Sequence, residues 1–131
     1  MTRTVKKIFI RGVSIDEAKN AVIKWFQENN VKVLINNPDY LYGRWGRGII
    51  NAPKFFEVEL VPAIGGVIAD VEGWIAFIPP SWSLPLAALA SYIPETEFTE
   101  STVSYGWMSR KEGMKAIKRL WKTLEALSKV S

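Results

Sequence analysis

The chain contains no cysteine and no histidine. Without cysteine there are no disulfides, no iron–sulfur or thiolate metal sites and no thiol nucleophile. Without histidine there is no Ser–His pair, no imidazole-ligated zinc, and no side chain whose ordinary pKa lies near neutrality. Any catalysis would fall to carboxylates, Lys, Tyr or Arg, and none of these stands in a catalytic or cofactor motif. The expectation is a protein that is not an enzyme and needs no cofactor or metal. Long apolar runs are also missing. The longest candidate, Leu84 to Ile93, is broken by Pro85 and falls short of the roughly 18 residues of a membrane span. The N-terminus offers only Ile8, Phe9 and Ile10, where a secretory signal needs roughly 7–15 apolar residues. A cytoplasmic location is expected.

What is present describes a globular chain. Of 131 residues, 48% are hydrophobic and the net charge is only +4, so a disordered chain is excluded. The length suits one α+β domain, residues 1–131, burying about two thirds of its unfolded surface. The charge is unevenly placed. From Ser109 to Ser131 there are seven Lys/Arg against Glu112 and Glu125, while the remainder holds ten basic residues against eleven acids. The whole basic excess therefore sits on one expected helix.

Periodicity locates the elements. Lys6 to Arg11 alternates around Ile8 and Ile10 as a first strand. Ser14-Ile15-Asp16-Glu17 fits a capping box opening a helix whose Ala18, Ala21, Val22, Trp25 and Phe26 share one face. Asn29-Asn30 stops it. Val31, Val33 and Ile35 mark the inward side of a second strand, and Asn36 to Asp39 is a turn. Tyr40 to Trp45 is a third strand. A hairpin from Phe55 to Phe77 turns at Ala63-Ile64-Gly65-Gly66. That centre sets Leu60 opposite Ala69, Val58 opposite Val71 and Phe56 opposite Gly73, with Glu59 facing Asp70 and Glu57 facing Glu72 on the other side. Pro79 to Pro94 reads as an apolar excursion with a short helix at Leu86 to Tyr92. Phe98 to Trp107 is a further expected strand, and Ser109-Arg110-Lys111-Glu112 repeats the capping pattern before a long final helix.

This order of elements, a curved antiparallel sheet packed against an N-terminal helix and a long C-terminal helix, resembles the helix-grip architecture of the START and Bet v 1-like superfamily. A second resemblance is to a TATA-binding-protein half-domain. The likeness lies in element order across the whole chain, with one helix after the first strand where the helix-grip family usually has two. It implies an apolar cavity between sheet and C-terminal helix.

Three expectations about function follow. The first is a small apolar ligand held by Trp45, Phe56, Val58, Val71, Trp82, Trp107, Ile117, Trp121 and Leu124, because pockets with few polar groups suit lipid-like molecules. The second is binding of nucleic acid or another anionic surface through Lys111, Lys115, Lys118, Arg119 and Lys122, which share a helix face opposite the stripe Met114, Ile117, Trp121 and Leu124. Like charges at these spacings cost a helix roughly 0.2–0.5 kcal/mol per pair, which favours an acidic partner. The third is a homodimer formed through an open strand edge or Trp74. Tyr40 to Gly48, rich in aromatics, arginine and glycine, reads as strand packing, with Arg44 placed to neutralise Glu57 or Glu59. The four carboxylates Glu57, Glu59, Asp70 and Glu72 read as a solvated acidic sheet face, offset by Arg44, by Lys or Arg from the first strand, by a bound cation or by solvation.

Overall fold

The computed structural model describes residues 3–46, 52–77, 93–101 and 107–129. Its elements are β1 (Thr4–Arg11), α1 (Ile15–Glu28), β2 (Lys32–Asn37), β3 (Tyr40–Trp45), β4 (Lys54–Ala63), β5 (Gly66–Phe77), β6 (Ile93–Thr96) and α2 (Trp107–Glu125). The six strands form one antiparallel sheet in the order β1-β5-β4-β3-β2, with β6 pairing the far end of β5. Both helices pack on one face of it, α1 against β2, β3 and β4, and α2 against β1, β5 and β4. The chain is thus α+β, with the core between one sheet face and two helices.

The central hairpin has the register its alternation dictates. Leu60 lies opposite Ala69, Val58 opposite Val71 and Phe56 opposite Gly73, while Glu59 and Glu57 face Asp70 and Glu72. Phe56, Val58, Leu60, Val67, Ala69 and Val71 are all buried. A slip of one residue would have sent this whole set into the acidic face. The Ser14 capping box is complete: Glu17 N–H donates to the Ser14 hydroxyl and the Ser14 N–H to the Glu17 carboxylate. At the other end of α1, Asn30 takes a left-handed φ of 58°, and Val31 N–H donates to the carbonyl of Phe26 at 2.9 Å.

Three expected features differ, and a fourth position, Trp74, is decided. β2 contains a bulge between Val33 and Ile35, so Ile35 pairs with Tyr42 on the outer face instead of joining Val31 and Val33 inside. The described part of the expected Phe98–Trp107 strand, residues 98–101, is not in the sheet: β6 ends at Thr96, and Phe98 enters the core, while residues 102–106 lie outside the described residues. The final helix begins at Trp107, which places Ser109 within its first turn, buried, and not at the N-cap. Trp74 shares the acidic side of the sheet, as its parity requires, yet it is buried there. The proposed helix at Leu86 to Tyr92 lies outside the described residues.

Phe98 is the keystone of the inner layer. Its ring packs on Phe56 at 5.7 Å between centroids, and Phe56 in turn meets Trp25 at 5.5 Å. A Cβ added at either Gly73 or Gly113 would collide with the Phe98 ring. Two glycines facing each other across the sheet–helix interface thus make the slot that this ring fills. Gly113→Ala should therefore destabilise the protein by about 1–3 kcal/mol through overpacking, although alanine alone would favour the helix by about 1 kcal/mol. Thermal melting of Gly113→Ala with and without Phe98→Leu checks this, since the smaller side chain should recover part of the loss.

Candidate functional site

Packing fixes the rotation of α2. Ser109, Gly113, Ala116, Ile117, Leu120 and Leu124 are its buried residues, and Met114 and Trp121 lie at the margin of the stripe. The stripe is centred one step away from the expected one, on Leu120. Burying these residues turns Lys115, Lys118, Arg119 and Lys122 to solvent and leaves Lys111 half-buried. All five expected anion-binding residues consequently lie on one surface of one helix.

Their partners are few. Lys118 pairs with Glu100, and Arg119 Nη2 donates to Asn29 Oδ1 at 3.3 Å. Among the described residues no carboxylate pairs with Lys111, Lys115 or Lys122. Lys111, Met114, Lys115, Lys118 and Glu100 line an open groove of about 220 Å³. Other cations near α2 do find carboxylates. Lys6 reaches Glu125 at 3.0 Å, Lys129 reaches Glu17 at 2.8 Å, and the buried Lys54 reaches Glu112 at 3.5 Å. Glu112 therefore serves Lys54 and not a cap at Ser109. Burial holds the Lys54 amine below its ordinary pKa, and Glu112 opposes that shift.

The opposite side of the molecule is acidic and differently organised. Arg3, not Arg44, supplies the compensating charge. Its guanidinium lies 3.7 Å from the Trp74 ring centroid and contacts Glu95 at 2.7 Å, Glu57 at 3.3 Å and Glu72 at 3.4 Å. Trp74, Phe55 and Tyr42 form a group of near-parallel rings with centroids 5.8–6.0 Å apart, so this face is in part a packed aromatic layer. Hydrogen bonding from Arg3 lowers the pKa of Glu95. Desolvation raises that of Glu72, helped by Asp70 and Glu57. Burial, with a hydrogen bond to Glu57, pushes the Tyr40 hydroxyl up to about 12. One Asp70 carboxylate oxygen is buried with no hydrogen-bond partner.

Among the described residues, those expected to surround an apolar ligand are not all brought together. Phe56, Val58, Val71, Ile117 and Leu124 have 0% exposure, packed in a core where Phe98 fills the space between β5 and α2. Trp45 and Trp121 sit at the rim under cations, with Lys54 Nζ 4.5 Å and Lys6 Nζ 5.2 Å from their ring centroids. Trp107 stands outside the core at 40% exposure, and Trp82 lies outside the described residues. A larger open groove, about 420 Å³, is lined by Phe9, Arg11, Gly12, Ile64, Gly65 and Lys129 at the hairpin end, away from the sheet–helix interior. Sequence reasoning passed over Arg3 and gave Phe98 to a strand. Arg3 is separated by 54 to 92 positions from the glutamates it binds, so only the assembled sheet reveals it. Among the described residues no helix is long and apolar enough to cross a membrane, and no cluster of acidic residues could hold a metal ion. A scan against family models finds no match for this chain, and a search of the curated proteins finds none either.

The Arg3 cluster gives a pH-dependent expectation. Glu95 has a folded pKa below its unfolded value, so its pairing stabilises the protein above the carboxylate range and is lost as pH falls through the folded value. Glu72 has the opposite sign: its raised pKa makes its ionisation a growing cost as pH rises. Arg3→Gln removes the Glu95 gain and deepens the Glu72 cost. The variant should lose about 1–2 kcal/mol at neutral pH, more than an exposed pair is worth, and the deficit should shrink toward pH ~3. Urea denaturation of both proteins across that range measures it.

Proposed function

We propose that this protein binds a polyanion, with nucleic acid as the favoured class, through the outer face of α2. The observation that supports this reading most strongly is the contrast between the two charged surfaces. The acidic sheet face has Arg3 inserted among its carboxylates, whereas Lys111, Lys115 and Lys122 have no carboxylate partner among the described residues. Unscreened lysines at successive turns attract phosphates, and binding releases the counterions held by the polymer. The carboxylates on the opposite face would orient the approach, because a polyanion is repelled from one side and drawn to the other. The filled slot around Phe98 speaks against the alternative of an apolar ligand between sheet and helix. The absence of histidine and cysteine supports a binding role over a catalytic one, and a cytoplasmic location belongs to the same proposal.

Salt dependence tests the reading. If Lys111, Lys115, Lys118 and Lys122 each meet a phosphate, log affinity should fall with log salt at a slope of roughly −3 to −4. Replacing Lys115, Lys118 and Lys122 by Gln should bring that slope to about −1 while leaving the melting temperature nearly unchanged, since these side chains are exposed. Fluorescence anisotropy with a labelled oligonucleotide over a salt series measures the slope. An unchanged slope in the triple variant would move the binding site elsewhere.

A further inference from the structure

We propose, building on the polyanion reading, that Trp107 stacks on unpaired bases and makes the α2 face selective for single-stranded nucleic acid. Trp107 begins the helix and is 40% exposed, with Met108 beside it at 49%. Each of the other described tryptophans is covered. Trp25 and Trp74 are buried, and Trp45 and Trp121 pack against the core. An indole is among the largest apolar groups a chain can bury, and the fold leaves about two fifths of this one exposed.

Its position gives that exposure a use. Trp107, Lys111, Lys115, Lys118 and Lys122 follow one another at intervals of four, four, three and four residues. At about 1.5 Å per residue, each step advances roughly 4.5–6 Å along the same side of α2. The line therefore runs from an aromatic ring to four cations, with spacing comparable to that of successive phosphates along a strand. The groove walled by Lys111, Lys115 and Lys118 over Met114, with Glu100 on Lys118 at its edge, begins one turn from the ring. An apolar floor beside cations suits a nucleotide, which brings a flat base and a charged phosphate together. In a duplex the base faces are already stacked on each other and are closed to an external ring. In a single strand they are open, and stacking does not depend on which base is met. Lysines alone would bind either form, so the ring is the element that discriminates.

The test compares labelled probes of about 15 nucleotides: oligo(dT), oligo(rU), an abasic phosphodiester of equal length, and a duplex. The wild-type protein should bind the single strands roughly tenfold more tightly than the abasic polymer, as one stacked base predicts. Trp107→Ala should erase that gap while leaving abasic binding and its salt slope unchanged. Trp107→Phe should keep most of the gap. Trp107→Leu, which retains apolar bulk without a ring, should not, and it guards against any folding defect in the alanine variant. Equal shifts with dT and rU support stacking as such, and a preference confined to rU would overturn it in favour of sugar recognition. Lysine-dependent binding with no difference between dT and abasic probes, or a duplex bound as tightly as a single strand, overturns the stacking proposal and leaves the polyanion reading intact. Absence of binding to every probe at low salt overturns both.

Discussion

The seat of α2 on the sheet is the constraint on which the other features depend. Phe98 enters between Gly73 of β5 and Gly113 of α2, and neither glycine could carry a side chain without displacing the ring. Once Gly113 is fixed over that slot, the rotation of the helix is fixed too. Ala116, Ile117, Leu120 and Leu124 must point at the sheet, and Lys115, Lys118 and Lys122 must point away. A rotation of one residue, about 100°, would sink lysines into the core and lift leucines into water. A packing event in the interior thereby decides which charges the protein presents outside.

The two charged faces solve different physical problems. On the sheet, cross-strand pairing forces Glu57 against Glu72 and Glu59 against Asp70, which like charges resist. The fold answers with Arg3, whose planar fork can serve several carboxylates while its flat side lies on Trp74. That guanidinium is a structural part: remove it and several half-buried carboxylates lose their counter-charge together. On α2 the repulsion is milder, spread over exposed side chains in water, and among the described residues Glu100 relieves it at Lys118. The acidic face is organised by its own fold, and the basic one faces solvent along most of its length.

How far the sequence disclosed this depends on the range of the interaction. The β4–β5 register was legible because a period of two, pinned by a two-residue turn, allows one solution that buries Val58 and Leu60. The Ser14 cap was legible because all its parts lie within four residues. The same Ser-x-x-Glu pattern at Ser109 misled, since the buried Lys54 claims the half-exposed Glu112 and the helix already starts at Trp107. Ile35 was assigned to the wrong face because one bulge inverts the parity of everything after it. Phe98 read as strand because its aromatic, alternating neighbourhood has strand propensity, and nothing local announces two distant glycines. For the candidate site, the lysines were found from helical spacing alone. The exposure of Trp107 was not, because composition treats every tryptophan as core until packing excludes one.

The energetics of α2 separate its core face from its outer one. Burying Ile117, Leu120 and Leu124 is worth roughly 1.5–3 kcal/mol for each side chain. The three successive lysine pairs from Lys111 to Lys122 cost together about 1 kcal/mol. The core term is several times larger, so the helix forms whichever charges stand outside, and the fold exerts little selection on them. At the helix margins that freedom has produced neutral pairings: Lys6 with Glu125, Lys129 with Glu17, Lys54 with Glu112. Along the central outward line, where Lys118 pairs with Glu100, it produces successive lysines headed by an exposed indole. An ordinary solvating face would be served as well by alternating Glu and Lys, which would also gain a few tenths of a kcal/mol per pair. A line that gives up that gain and also leaves a tryptophan partly exposed has two small costs pointing the same way. A partner carrying both negative charge and flat apolar surface would offset the two together.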